Sequence, residues 1–278
     1  MDIARTLAEL RFTCAALRGR HDALALVPTM GALHDGHRAL LRAAAESGAA
    51  TVASIFVNPL QFGAGEDYTR YPRDEAADLA ILESTGCALA WLPDVATMYP
   101  PGDATTINVD GPAARWEGAA RPGHFRGVAT VCSRLFGQVR PDRAYFGEKD
   151  WQQLQVVRRM AADLLLPLEI VGVPTVREAD GLALSSRNRF LTEPERAVAP
   201  RLFAVLHSVG GVLSAGGPAR EPLAAARRDL THAGFEVDYV ELVDGPTLAP
   251  LPAAQSDARL IAAARLGTVR LIDNQAVG

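Results

Sequence analysis

The sequence predicts an α/β protein: a doubly wound (Rossmann-like) parallel sheet followed by a smaller C-terminal α+β domain. Three observations predict it. Up to about residue 175, short apolar runs alternate with longer stretches in which apolar residues recur every three or four positions, the pattern of repeated βαβ units. The first run ends in a turn bearing glycine and histidine, of the kind that gathers at the carboxyl edge of such a sheet. Beyond Pro174 the alternation stops and a polar loop begins.

The runs expected as strands are 24–27, 51–57, 88–92, 143–146 and 168–173, and the helical patterns between them are 38–46, 74–83, 128–139 and 152–165. After the polar loop, Thr192 with Pro194 shortly behind it marks a helix start. Glycines at 210–211 and 216–217 read as a break before a second helix over 221–233. Strand-like runs at 237–243, 259–263 and 268–272 complete a small α+β segment. The expected division is a nucleotide-binding domain over 1–176 and a smaller domain over 177–278.

The 278 residues, 49% hydrophobic and 22% charged with net charge −4, match a globular protein and not a polyanion binder, so nucleic acid is not an expected partner. Cys14, Cys87 and Cys132 are too few, too scattered and too apolar in setting for a disulfide framework or a zinc site. Asp2 stands where a signal peptide needs bases, and no run of 18 uninterrupted apolar residues occurs. These features point to a cytoplasmic protein without a membrane span. Of the 28 basic residues only Lys149 is lysine, which marks the place where a compact ammonium would be needed instead of a planar fork.

Three stretches carry anion-binding chemistry. The turn after the first strand, 28–37, reads PTMGALHDGH, and a helix opening there would turn unpaired N–H groups and its positive dipole end outward. His34 and His37, three apart, either cap that turn or donate to a phosphate; their position after the first strand favours phosphate. Metal ligation lacks a third ligand, since Asp35 should point away, and no protein-held metal is expected. Gly147-Glu148-Lys149-Asp150 follows the fourth strand, at the same sheet edge. Leu184-Ser185-Ser186-Arg187 offers two hydroxyls and a guanidinium on a mobile-looking loop. Gln61, Asn58 and Gln153 are amides suited to a small hydroxy acid, although Gln152, Gln153 and Gln155 equally read as a solvated helix face.

Five stretches in this order, PTMGALHDGH (28–37), FVNPLQFG (56–63), RPGHFRGV (121–128), RPDRAYFGEKDWQQL (140–154) and VPTVREADGLALSSRN (173–188), resemble the pantoate–β-alanine ligase (pantothenate synthetase) family of the His-x-Gly-His nucleotidyltransferases. The resemblance implies that Mg-ATP and pantoate give pantoyl adenylate and pyrophosphate, and that β-alanine then displaces AMP. It implies that Met30, Gly31, Ala32, Leu33, His34, Asp35, Gly36 and His37 cradle ATP, with His37 the family's proton donor. Gly147, Glu148, Lys149, Asp150, Val176, Leu184, Ser185, Ser186 and Arg187 would complete the ATP site. Gln61 would meet pantoate and β-alanine, with Asn58 beside it, and Gln153 would meet pantoate. As a hypothesis, His34, His37, Lys149 and Arg187 would spread positive charge over the transition state and the departing pyrophosphate. Family members are cytoplasmic homodimers. Two rival readings are a related adenylyltransferase with another acceptor and a non-catalytic nucleotide-binding regulator; the first would not need Gln61 and Gln153 in these contexts, and the second should lack Lys149 or a histidine.

Overall fold

Each apolar run expected as a strand before residue 175 forms one, and all lie parallel in a single sheet. The structure, a computed structural model, describes residues 1–63 and 65–277. It contains two units. The first comprises Met1–Asp110, Arg121–Glu148 and Val156–Pro174; the second comprises Gly111–Ala120, Lys149–Gln155 and the chain from Thr175 onward. Two short stretches before residue 176 therefore belong with the second unit.

In chain order the elements are β1 (Asp2–Ala4), α1 (Leu7–Arg18), β2 (Leu24–Thr29), α2 (Asp35–Glu46), β3 (Ala50–Ile55), α3 (Glu75–Ser84), β4 (Leu89–Trp91), α4 (Val95–Met98), the second unit's α5 (Glu117–Ala120), α6 (His124–Val139), β5 (Arg143–Gly147), α7 (Trp151–Asp163) and β6 (Glu169–Val173). β1, α1 and the one-turn helices α4 and α5 add to the elements expected. Three residues are too short to show a period, and α1 is announced by a Thr6/Glu9 capping box more than by its face.

The sheet order is β1-β4-β3-β2-β5-β6. The chain therefore builds outward from β2 through β3 to β4, then returns to lay β5 on the other side of β2. That reversal opens a crevice at the carboxyl ends of β2 and β5, where doubly wound sheets take their ligands. β2 leads there into Met30 and β5 into Glu148. Both faces of the sheet are covered, so the central strands are apolar throughout: Leu24 to Val27 of β2 are wholly buried. Leu41 of α2 and Leu82 of α3, also wholly buried, each stabilise the unit by about 1.5–3 kcal/mol through burial.

In the second unit α8 (Glu193–Val198), α9 (Arg201–Ser214) and α10 (Arg220–His232) precede β7 (Glu236–Asp244), β8 (Ala258–Leu266) and β9 (Val269–Val277), which form an antiparallel sheet in the order β7-β8-β9. Alternation along β8 divides its side chains. Leu260, Ala262 and Ala264 join Leu202, Leu206 and Leu230 in one core, while Ile261 and Ala263 pack with Tyr239, Trp116 and Trp151 in another. Thr192 caps α8 with Glu195 in a capping box and Pro194 in the first turn, as its sequence predicts.

The glycine break holds at Gly216 and Gly217, between α9 and α10, and is corrected at the first pair. Gly210 and Gly211 lie inside α9, where a Cβ on Gly210 would stand 2.9 Å from the Gln275 amide nitrogen of β9. Close approach of helix to sheet, not a chain break, explains that glycine. The helical stretch Glu193–Ser214 is long and apolar enough by length and composition to cross a membrane. Its apolar residues Leu202, Val205, Leu206 and Leu213 are instead buried in the second unit's core.

All three cysteines are buried. Burial pushes the Cys87 thiol up to about 11 and the Cys132 thiol up to about 12, and raises that of Cys14. A thiol-specific disulfide reagent at pH 8 is therefore expected to label none of them in native protein within minutes and all of them in denaturant. Rapid native labelling at Cys87 or Cys132 would contradict the packing.

Candidate active site

The turn after β2 is shaped by left-handed backbone at two successive residues, Gly31 (φ +81°) and Ala32 (φ +51°). The second is unusual for a residue with a Cβ and persists only where neighbours hold it. Those neighbours are on α3 and β2. The Asp78 carboxylate accepts from Ala32 N (3.0 Å) and Leu33 N (2.7 Å), and Thr29 Oγ1 accepts from Gly31 N at 3.3 Å. Thr29 is fixed in turn by donating to Ser54 O of β3 at 2.7 Å.

His34 and His37 form the N-cap of α2 reciprocally: His37 Nδ1 accepts from His34 N (3.2 Å) and His34 Nδ1 accepts from Gly36 N (3.1 Å). Their rings lie 4.2 Å apart. Capping and phosphate donation, set against each other by sequence, use different nitrogens. A backbone N–H always donates, so each Nδ1 is unprotonated and each neutral ring carries its proton on Nε2. Most of the helix N-terminus expected to be open is closed, because the amides of Gly31 to His34, Gly36 and His37 have acceptors within the protein. Asp35 points to Arg38 at 3.4 Å with its side chain 77% exposed, as expected for a residue facing away.

The loop after β3 begins with Asn58, 1% exposed. Its Nδ2 donates to Gln61 Oε1 and Gly127 O, both at 3.1 Å, while its Oδ1 accepts from Leu60 N (3.2 Å) and Tyr99 OH (2.7 Å). Two donors and two lone pairs are all an amide has, so Asn58 has none left for a substrate, contrary to its expected role. It sets Gln61 instead. With Oε1 accepting from Asn58, the Gln61 amide turns its Nε2 towards Met30 and donates to Sδ at 3.0 Å. Burial raises the Tyr99 hydroxyl, which keeps it a donor to Asn58.

Behind Gln61, its backbone carbonyl meets His124 Nδ1 (2.8 Å) and Arg121 Nη2 (3.3 Å). Arg121 also holds both oxygens of Glu66, at 2.8 and 2.6 Å. Burial alone would raise the Glu66 carboxyl; the hydrogen bond and charge of Arg121 outweigh it and keep Glu66 below its ordinary value.

The remaining expected residues lie in the second unit, apart from Gly147 and Glu148. Asn274 Nδ2 of β9 holds Lys149 O at 2.9 Å, and Lys149 Nζ lies 3.7 Å from Asp150. The loop expected to be mobile is an anchored hairpin: Arg177 pairs with Ala183, Leu184 N donates to Val176 O at 3.0 Å, and Arg177 holds buried Asp273 at 2.6 and 2.8 Å while stacking on Phe203. A short 3-10 helix, Ser186–Phe190, follows, with Ser185 Oγ accepting from Arg187 N at 3.2 Å. The solvated-face reading of the glutamines fails at Gln152 and Gln155, both buried. Gln152 binds Glu117 N, Pro112 O and Arg115 O, closing the 111–120 stretch onto α7; Gln153 is part-exposed.

Sequence reasoning missed Asp78, Thr29 and Tyr99. Asp78 had a visible signal: a carboxylate four residues from Leu82, on the buried face of α3. Among the described residues no group of three His, Cys, Asp or Glu is placed to hold a metal ion.

Comparison with known proteins gives one consistent result. A family model described as pantoate-beta-alanine ligase matches residues 2–276. Pantothenate synthetase of Acidiphilium cryptum is 63% identical over 278 residues, with both chains covered completely, and that of Granulibacter bethesdensis is 60% identical over 99% of this chain and 96% of its own. The crystal structure of pantothenate synthetase from Thermus thermophilus superposes with a TM-score of 0.94 at 52% identity, covering 100% of this chain and 99% of that one. Pantoate-beta-alanine ligase from Francisella tularensis, solved in complex with beta-gamma ATP and beta-alanine, gives a TM-score of 0.84 at 31% identity over 99% of this chain and 97% of that one.

Proposed function

The chain belongs to the pantoate–β-alanine ligase family and is a ligase, and from that premise we propose that it makes pantothenate by way of a pantoyl adenylate. In the first step a pantoate carboxylate oxygen attacks the α-phosphorus of ATP, the bond to the bridging oxygen of the β-phosphate breaks, and pyrophosphate leaves. In the second, the β-alanine amine attacks the acyl carbon, AMP leaves with the carboxylate oxygen's bonding pair, and the amine gives up a proton. The observation that carries this reading is the likeness, along nearly the whole chain, to the Francisella enzyme solved with a nucleotide and β-alanine.

Neither step requires a covalent bond to the protein; both require reactants held in line and charge neutralised. His34 and His37 would serve as Nε2–H donors to phosphate oxygens. A capped, neutral ring gives a hydrogen bond and not a proton, since losing the Nε2 proton would leave an imidazolate. On this reading the pair acts by hydrogen bonding, where the resemblance implies positive charge and proton donation. Lys149 and Arg187 would supply the charge, with Gly147, Glu148, Asp150, Val176 and Leu184 to Ser186 lining the nucleotide. Gln61 would donate to pantoate through Nε2, and Gln153 would meet it from α7. Mg²⁺ would enter as Mg-ATP, which suits a protein whose described residues form no metal cage, because magnesium in such sites rests largely on phosphate oxygens and water.

The same proposal takes 1–176 as the nucleotide-binding part and 177–278 as the smaller domain, and the working form as a cytoplasmic homodimer. The direct test is AMP release from ATP. It is expected to need pantoate and β-alanine together, and pantoate alone should support exchange of labelled pyrophosphate into ATP. Turnover with another acid but not pantoate would favour a different acceptor, and no turnover with any acid would favour a regulator.

A further inference from the structure

We propose that Asp78 is a positioning residue of the nucleotide-binding turn: its carboxylate fills the backbone anion nest of Ala32 and Leu33 that a phosphate would otherwise occupy, and so leaves triphosphate recognition to side chains, ring donors and cations alike. The inference rests on the reading of the turn as an ATP site. Successive N–H groups that converge after a strand form a concavity which binds anions. Here the concavity is already filled. Asp78 is 2% exposed and reaches Ala32 N with Oδ2 and Leu33 N with Oδ1, at 3.0 and 2.7 Å.

Two further features show the turn built around this carboxylate. A Cβ on Gly31 would stand 2.7 Å from Asp78 Oδ2 and 3.2 Å from Ile55 Cγ2, so the residue there must lack one. Ala32, next in the chain, keeps its left-handed backbone (φ +51°) although it has a Cβ, and its amide is the one Oδ2 holds. A bare nest would take any small anion, whereas a filled one leaves selection to ring donors and cations. The carboxylate also sets where His34 begins, since Leu33 N is fixed one residue before the cap.

Amide exchange and nitrogen NMR on wild-type enzyme test this without a variant. The Ala32 and Leu33 amides should exchange slowly without nucleotide and change little on adding Mg-ATP, while the His34 and His37 ring nitrogens shift. Fast exchange at Ala32 and Leu33 that becomes slow only with ATP, with ring shifts intact, would overturn the role of Asp78 and leave the ATP site standing. No ATP-induced shift anywhere would overturn both. Asp78→Asn, which turns one acceptor towards an N–H as a donor, should lower kcat/KM for ATP by about 10- to 100-fold. KM for β-alanine should remain within about twofold, because that step no longer involves the triphosphate. An Asp78→Asn enzyme with unchanged kcat/KM for ATP, or with all substrates affected equally, would contradict the proposal.

Discussion

Lys149→Ala is expected to lower ATP-dependent turnover by about 10²–10³-fold while leaving the fold intact, the size of effect seen when one preorganised charge-stabilising donor is lost. Lys149 comes two residues after β5, the strand laid beside β2 where the sheet order reverses. Its backbone is held by Asn274, so its starting point is set, and its side chain, 20% exposed, lies beside Asp150. Lys149→Arg sharpens the test, because it keeps the charge but replaces a compact ammonium with a broad fork. Initial rates at saturating substrates, with melting temperature as a check on folding, measure both. An alanine enzyme within a few-fold of wild type would show that this ammonium takes no part in phosphate chemistry.

Gly127→Ala should be the most damaging single methyl in the site. A Cβ on Gly127 of α6 would lie 2.2 Å from Leu60 O, 2.4 Å from Leu60 C and 2.6 Å from Gln61 N. All three are backbone atoms, so no rotamer relieves the clash and either α6 or the 58–61 turn must move. The Gly127 carbonyl also accepts from Asn58, so the shift would reach the residue that orients Gln61. Overpacking of this kind costs about 1–3 kcal/mol or more of stability. A displacement near 1 Å of a substrate-positioning group can cost about 10²-fold in rate. Gly137→Ala on the same helix meets nothing within 4 Å and should be neutral or slightly stabilising. Thermal unfolding and kcat/KM for pantoate on the pair measure the contrast, and a fully active, equally stable Gly127→Ala enzyme would refute the close approach.

Much of the site was legible because its chemistry is local in the chain. A strand running into Met30–His37, a second into Gly147–Asp150 and an isolated lysine need only order and spacing to be recognised. Asn58 and Asp78 were misread or missed for the opposite reason. Asn58 looks like a substrate ligand until Gly127 and Tyr99, far along the chain, are seen to occupy its remaining groups. Asp78 looks like one more surface acid until its helix is packed against the first turn. The glycines at 210–211 misled likewise: the pair reads as a break, yet both lie inside α9, where Gly210 is pressed on β9.

Hydrophobic periodicity, turn chemistry and motif order by themselves determined the fold class and the family resemblance, since each depends on residues close together in sequence. Tertiary structure alone decided which polar groups remain available to a ligand. Most of the turn's amides are used by Asp78, Thr29 and the two Nδ1 atoms, and the Asn58 amide is used by its neighbours. Hydrogen-bonding capacity is finite and is filled by whatever folding brings near, and a sequence carries each group without showing which partner reaches it first.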